Sequence, residues 1–347
     1  MNDTSKTPKI LLVKLSSLGD VLHNLPIVWD IRARFPEAQI DWVVEEAYVN
    51  LLSPLLTREG FRGIDRIIPF GLRRWKNTLF STQTWKEFVA FKKNLQQVSY
   101  DYILETQGLL KSALVCSLAN KTQNAVISGL ANATEFSGYE PLARVFYSQQ
   151  VHVPFRCHAV DRSRQIASSA FDWPLIGRAD ETIFYPTDAV LPTVSEQINA
   201  FEMPYVLFFH STAREAKRWP NENWIFLGSA LAKEGYQVVL PWGSSAEKTI
   251  SQKLASHIPN AKVPNAFSIE GAFSVIVNSA LVVGVDTGLT HLSAVLNKPT
   301  IEIYCDSPRW KTEGYWSEKI RNLGDIQKPP SAKEALETSL ELLKLKC

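Results

Sequence analysis

The chain has 347 residues, 45% hydrophobic and 21% charged, with a net charge of +2. That balance excludes a disordered chain, and it excludes a protein that binds nucleic acid along its whole surface, which would need a long basic stripe. A chain of 347 residues is better divided into two domains of about 100–200 residues than folded as one.

The first nine residues are polar, and the apolar run Ile10–Val13 is too short for a signal peptide. No stretch reaches the roughly 20 apolar residues that span a bilayer. The expectation is a cytoplasmic protein that is not exported. Cys116, Cys157, Cys305 and Cys347 form no C-x-x-C pair and no zinc-like cluster, so reduced thiols and no metal site are expected.

Residues 9–15 (KILLVKL) predict a buried strand, followed by the turn Ser16-Ser17-Leu18-Gly19-Asp20 and a helix towards Phe35 that breaks at Pro26. Strands follow over 39–44 and 102–105. Near-continuous apolar strands alternating with helices point to a parallel sheet covered on both faces. The pattern restarts with a strand over 205–210, a helix over 221–234 and a strand over 236–240. Helices from about 245 and over 268–279, a strand over 281–286, a helix over 287–297 and a strand over 300–304 complete it. The join is expected between Trp173 and Pro204, where Pro174, Pro186 and Pro192 lie. The tail 331–345 predicts an amphipathic helix with Ala335, Leu336, Leu340 and Leu343 on one stripe. The reading is two doubly wound α/β domains in tandem: 1–183, 184–328, and a C-terminal helix over 329–347 that could pack back on the first domain.

In such sheets ligands bind where strands turn into helices, so two turns stand out. In the first, Asp20 is either a helix-capping carboxylate or a general base. The turn is not a G-x-G-x-x-G fingerprint, which argues against a nicotinamide dehydrogenase. The second turn, Asp286-Thr287-Gly288-Leu289-Thr290-His291, opens a helix whose N-terminus suits a diphosphate. Between them, the loop 210–220 carries Thr212, Arg214, Lys217 and Arg218, a set suited to phosphate oxygens or simply to solvent. Glu247 either binds ribose hydroxyls or caps its helix. Arg73, Arg74 and Lys76, with Lys86, Lys92 and Lys93 beyond, form a basic cluster that is a solvated face or an anionic-acceptor site.

The run KLSSLGDVLHNLP from Lys14 to Pro26 resembles the opening motif of the lipopolysaccharide heptosyltransferases of glycosyltransferase family 9, the first of their two heptose-adding types more than the second. So do Asp41–Glu46, Arg73-Arg74-Trp75, Gln107-Gly108-Leu109, Glu140–Ala143, His158-Ala159-Val160, Lys217–Pro220, Leu240–Gly243 and Val285–Leu292, in order from about Lys9 to Tyr304. The resemblance implies a GT-B fold of two facing Rossmann-like domains and an inverting, metal-independent transfer without a cofactor. The donor it implies is ADP-L-glycero-β-D-manno-heptose, and the acceptor a 3-deoxy-octulosonic acid (Kdo) residue of Kdo2-lipid A. The enzyme would touch the cytoplasmic face of the inner membrane peripherally.

By position, the resemblance makes Asp20 the general base and Lys217, with the helix from Thr287, the stabiliser of the departing diphosphate. Thr212, Ala213, Glu247, Phe267, Asp286, Thr287, Gly288 and His291 would bind the donor; Lys14, Ser17, Arg73, Arg74, Lys76 and Gln107 would bind the acceptor. Three positions depart from the family pattern: Ala213 in place of a hydroxyl, Tyr139 in place of an arginine, and Cys305-Asp306-Ser307 in place of a Gly-Pro-Thr-like turn. The alternatives are another GT-B transferase with a different nucleotide sugar or anionic glycan, and a non-catalytic nucleotide-sugar-binding module.

Overall fold

Strand β1 (Lys9–Val13) lies in the middle of a six-stranded parallel sheet because all its residues from Ile10 onward are apolar and fully buried, so both faces need a cover. The computed structural model describes residues 7–174, 185, 201, 204–212 and 214–345. β1 pairs with β2 (Gln39–Glu45) on one side and β4 (Ser99–Glu105) on the other, with Leu12 opposite Trp42 and Leu104. β3 (Arg66–Phe70), β5 (Asn120–Leu130) and β6 (Gln149–Val151) extend it to the order β3-β2-β1-β4-β5-β6. Truncating a side chain such as Leu12 to alanine here would cost about 2–5 kcal/mol, through lost burial and the cavity left behind.

The second sheet has five parallel strands in the order β11-β10-β9-β7-β8: β7 (Tyr205–Phe209), β8 (Gln237–Val239), β9 (Leu281–Val285), β10 (Thr300–Tyr304) and β11 (Ile320–Gly324). The chain divides into two compact units, Met1–Ala179 and Asp180–Cys347, each holding one sheet. Strand order reverses between β1 and β4 in the first unit and between β7 and β9 in the second. These reversal points are where an open α/β sheet leaves a crevice at the carboxyl ends of its strands.

The proline break is as expected: helix Leu18–Leu22 ends before Pro26, which occupies the first turn of helix Pro26–Arg34. Sequence reading omitted β3, β5, β6 and β11. β5 is half exposed over its first eight residues and β6 is only three residues long, so neither carries a continuous apolar run. The join expected between Trp173 and Pro204, including Pro186 and Pro192, lies mostly outside the described residues. In the C-terminal helix Ala332–Lys344, Ala335, Leu342 and Leu343 enter the core of the second unit, with the helix packed against helix Asn221–Lys233.

Candidate active site

The turn after β1 rests on buried polar groups from the neighbouring strand β4. Lys14, 1% exposed, donates from Nζ to the Thr106 carbonyl at 3.0 Å. Gln107 Oε1 accepts from the backbone N–H groups of Leu15 and Ser16 at 3.1 and 3.2 Å. Gln107 is itself held by Glu105, whose buried carboxylate accepts from Gln107 N at 2.9 Å, Gly108 N at 3.0 Å and the Tyr147 hydroxyl at 2.6 Å. Burial pushes the Glu105 carboxyl up, while those hydrogen bonds pull it down. Gly108 takes φ +78° there, a conformation that favours glycine.

On this support, Asp20 Oδ2 accepts from Ser17 N at 3.0 Å and Ser17 Oγ at 2.8 Å, and Oδ1 lies 3.9 Å from Lys14 Nζ. Desolvation raises the Asp20 pKa, but Lys14, Arg162 and the Ser17 bonds outweigh it and hold the carboxyl well below the usual carboxylate range. The carboxylate is therefore ionised at neutral pH, while its side chain stays 39% exposed. Asp20 closes the capping box of helix Leu18–Leu22 with Ser17 while its carboxylate stays partly exposed.

Cations surround this turn. Lys111 Nζ bridges Ser16 Oγ at 3.3 Å and Glu45 Oε1 at 3.2 Å, and Arg73 Nε meets Glu45 Oε2 at 2.5 Å. Arg74 pairs with Glu46 at 2.7 Å and with Glu87, and Lys76 is exposed. A continuous chain thus runs from Ser16 through Lys111 and Glu45 to Arg73.

In the second unit the corresponding turn is a buried charge chain. Asp286 is met by Lys217 Nζ, by Ser307 Oγ at 2.5 Å and by His291 Nε2 at 2.9 Å. His291 Nδ1 continues to Glu302 Oε1 at 2.9 Å, and Glu302 Oε2 accepts from Tyr304 OH and Gly314 N, each at 2.9 Å. Burial alone would lower the His291 pKa, but Glu302 and Asp286 outweigh it and push it up to about 10. Desolvation likewise raises Asp286, and His291 and Lys217 more than reverse it, holding it far below the carboxylate range. Two anions alternate with two cations, so the cluster is neutral as a whole and each buried charge has a partner.

Asp286 immediately precedes helix Gly288–Val295, whose N-cap Thr287 makes no side-chain cap hydrogen bond. This helix is drawn tight onto β9: a Cβ at Gly284 would lie 2.0 Å from Thr290 Oγ1, which donates to the Val285 carbonyl at 2.8 Å. An uncapped helix N-terminus beside Lys217 offers backbone N–H groups and positive charge to an anion.

The profile of glycosyltransferase family 9 (heptosyltransferase) matches residues 88–343, well over half of the sequence. The chain belongs to glycosyltransferase family 9. It is 34% identical to lipopolysaccharide heptosyltransferase 1 of Pseudomonas aeruginosa, over 94% of this chain and 86% of that protein. It is 35% identical to the Escherichia coli K12 protein of the same name, over 90% of this chain and 92% of that one. Among solved structures, E. coli heptosyltransferase WaaC with ADP superposes with a TM-score of 0.81 at 30% identity, covering 96% of this chain and 99% of that chain. E. coli heptosyltransferase II, at 21% identity and a TM-score of 0.71, shares the fold. The two parallel sheets are those of GT-B heptosyltransferases, and the chain is a glycosyltransferase.

Within this family frame the structure sorts the sequence-derived residues. Lys14, Ser17, Asp20 and Gln107 are brought together at the end of β1, with Gln107 accepting from the backbone of Leu15 and Ser16 and Lys14 donating to the Thr106 carbonyl beside Asp20. Lys217, Asp286, Thr287, Gly288 and His291 are brought together at the end of β9, with both ring nitrogens of His291 hydrogen-bonded to carboxylates, one of them Asp286. Glu247 Oε2 accepts from Gly243 N at 2.7 Å and Ser244 N at 3.2 Å, which caps helix Ser245–Ala255. Thr212 and Phe267 are half-buried, and Ala213 lies outside the described residues.

Several members were missed. Glu302 had a signal, a lone acid inside the apolar strand TIEIY, fully buried here. Ser307, read only as a departure in its turn, hydrogen-bonds Asp286. Arg162, 4% exposed and bonded from Nη1 to Thr134 Oγ1 at 3.1 Å, acts on Asp20 from helix Ala159–Phe171, and Lys111 ties the turn to Glu45. His210 joins Ser251 and Ser211 at 2.8 and 2.9 Å; burial, then Arg218, lowers its pKa to about 4, so it is a neutral strut.

Proposed function

We propose that this enzyme transfers L-glycero-D-manno-heptose from ADP-heptose to a Kdo residue of Kdo2-lipid A, with inversion. The observation that carries the reading is the pair of turns at the two sheet reversals: an ionised, partly open carboxylate in one, and a cation beside an uncapped helix N-terminus in the other. The solved relatives WaaC with ADP and WaaC with ADP-2-deoxy-2-fluoro heptose support the donor assignment.

In this mechanism Asp20 takes the proton of the acceptor hydroxyl as its oxygen bonds to the anomeric carbon, and the bond from that carbon to the diphosphate breaks to release ADP. A carboxylate of such low basicity suits a transition state in which C–O cleavage runs ahead of proton transfer. Lys217 and the N–H groups at the start of helix Gly288–Val295 receive the negative charge that develops on the diphosphate. Asp286 orients Lys217 and the sugar hydroxyls, and is itself fixed by His291 and Ser307. Thr212, Glu247 and Phe267 serve phosphate, ribose and adenine, Glu247 through the carboxylate oxygen not used in its cap. Arg73, Arg74 and Lys76 exchange their present partners or solvent for Kdo carboxylates and lipid A phosphates.

The acceptor carries acyl chains, so the reaction belongs at the cytoplasmic face of the inner membrane. Among the described residues no helix is long and apolar enough to cross a membrane. Peripheral association is the reading that meets both points. The deciding assay is ADP release from ADP-heptose with and without Kdo2-lipid A; turnover of UDP-sugars with none of ADP-heptose would sink the assignment. Tyr139 favours a second reading, a different anionic acceptor, because its buried hydroxyl has no hydrogen-bond partner among the described residues and it stands where the family pattern has an arginine.

A further inference from the structure

The segment between β3 and helix Thr82–Leu95 combines features that the transfer reaction does not use. Phe80 is fully exposed, and Leu79, Trp85 and Val89 are 57%, 62% and 59% exposed. Single exposed apolar residues are ordinary, but four of this size within eleven positions are not. The helix buries its opposite side, Thr84, Phe91 and Leu95, against the sheet, with Trp75 packed on Phe88 and Phe91.

On the outer side, helical spacing of 100° per residue sets Trp85 and Val89 along one stripe. Lys92 flanks the stripe on one side and Lys86 and Lys93 on the other, all three exposed. The only acid of this helix, Glu87, is occupied by Arg74, the Trp75 indole at 2.9 Å and Gln83 at 2.9 Å. The outer face is therefore apolar in the middle, cationic at both margins and free of carboxylates. An exposed tryptophan and phenylalanine ringed by lysines match the interfacial layer of a bilayer with anionic headgroups, where indole sits at headgroup depth and lysine stems lie along the acyl boundary.

Placement strengthens the assignment. All strands of this sheet are parallel, so the loops after β1, β2, β3 and β4 leave from one edge. Leu79 and Phe80 lie in the loop after β3, on the same edge as Asp20. The chain Ser16–Lys111–Glu45–Arg73 runs along that edge from the Asp20 turn to the start of this loop.

We propose that Leu79, Phe80, Trp85 and Val89, with Lys86, Lys92 and Lys93, dock the first unit onto an anionic lipid bilayer and so present the membrane-held acceptor to Asp20. The inference rests on the lipid-linked acceptor assigned above. A protein partner is the other occupant such a face could take, and a wild type that binds neither kind of vesicle would favour it and overturn the proposal.

The full chain is sedimented with vesicles of phosphatidylethanolamine and phosphatidylglycerol, and separately with phosphatidylcholine vesicles. Two variants are compared: F80S/W85S/V89S, and K86Q/K92Q/K93Q. Transfer to a water-soluble Kdo acceptor without acyl chains is measured in parallel. The wild type should bind the anionic vesicles and not the neutral ones, and added salt should release it. Each variant should partition at least about tenfold more weakly, with turnover of the soluble acceptor and thermal midpoint unchanged. Undiminished vesicle binding by both variants would overturn the proposal. So would binding that is lost instead in L142S/V145S, which changes other exposed apolar residues of this unit, or a loss of soluble-acceptor turnover in the two docking variants. A wild type that binds anionic vesicles yet leaves the soluble acceptor untouched would count against the acceptor assignment and leave the docking face standing.

Discussion

His291 Nε2 stands 2.9 Å from Asp286 Oδ1, and the same ring reaches Glu302 through its other nitrogen at 2.9 Å. A buried imidazole between two carboxylates is held as the cation at neutral pH, its pKa pushed up to about 10 by Glu302 and Asp286 against the cost of burial. It holds Asp286 from one side, while Lys217 meets the same carboxylate from the other. Removal of Glu302 would strand a buried positive charge, which typically costs about 3–5 kcal/mol. E302Q should therefore lower the thermal midpoint clearly and raise the KM for donor. A variant with wild-type stability would show that the His291–Glu302 contact does not support the fold.

The same pair sets a pH dependence. The folded His291 pKa lies above its unfolded value of 6.5, so the stability it contributes is complete below pH 6.5 and is lost as the pH rises through about 10. Chemical unfolding from pH 6 to 10.5 should show that decline in the wild type and a flatter profile in H291N. Parallel profiles for the two proteins would refute the protonated imidazole. Asp286 acts in the opposite sense, its contribution being lost only in acid, below its ordinary value of 3.8.

Asp20 offers a clean separation of roles, because the cap needs an oxygen and the base needs a charge. D20N keeps an acceptor for Ser17 N and Ser17 Oγ but loses basicity. Its kcat should drop by roughly 10²–10⁴ with donor affinity near wild type, and its thermal midpoint should fall because buried Lys14 and Arg162 lose the charge that faces them. D20A should lose kcat equally and also give up about 0.5–2 kcal/mol of stability with the cap. Wild-type turnover in D20N would reduce Asp20 to a helix cap.

Lys217 is the cation nearest Asp286 and the entrance to its helix. If Lys217 meets the diphosphate as proposed, in both ground and transition states, K217A should weaken donor binding and lower kcat together. Activity should survive exhaustive EDTA treatment, because in the proposed mechanism Lys217 and the helix N-terminus answer the leaving-group charge. Activity that vanishes with EDTA and returns with a divalent cation would contradict this account.

Gly284 tests how closely helix Gly288–Val295 must sit on β9. A methyl group there would lie 2.0 Å from Thr290 Oγ1 and 3.0 Å from Phe209 Cβ. G284A should cost about 1–3 kcal/mol by overpacking and raise the donor KM by displacing the helix N-terminus. The double variant G284A/T290A should recover part of the loss, since the two side chains compete for one space. Strict additivity in a double-mutant cycle would mean the contact is not the cause.

The sequence by itself determined the broad plan. Its continuous apolar strands, Ile10–Val13 and Leu281–Val285 above all, could be satisfied only by parallel sheets covered on both faces, and Gly19-Asp20 and Asp286–His291 could be read as exits of such strands. Family motifs carried the donor and acceptor as expectations. Only the tertiary structure decided which polar residues serve the fold and which remain open. Glu302 and His291 are eleven residues apart and meet through the pairing of β9 with β10. Gln107 is 92 residues from Leu15 and reaches it only because β1 and β4 are neighbours. Arg162 acts on Asp20 across an even longer separation. Partnerships of this kind depend on strand order, which local spacing does not encode. Asp20 and His291 look alike as polar residues at strand exits; their different surroundings leave one carboxylate partly open and bury the other side chain between two acids.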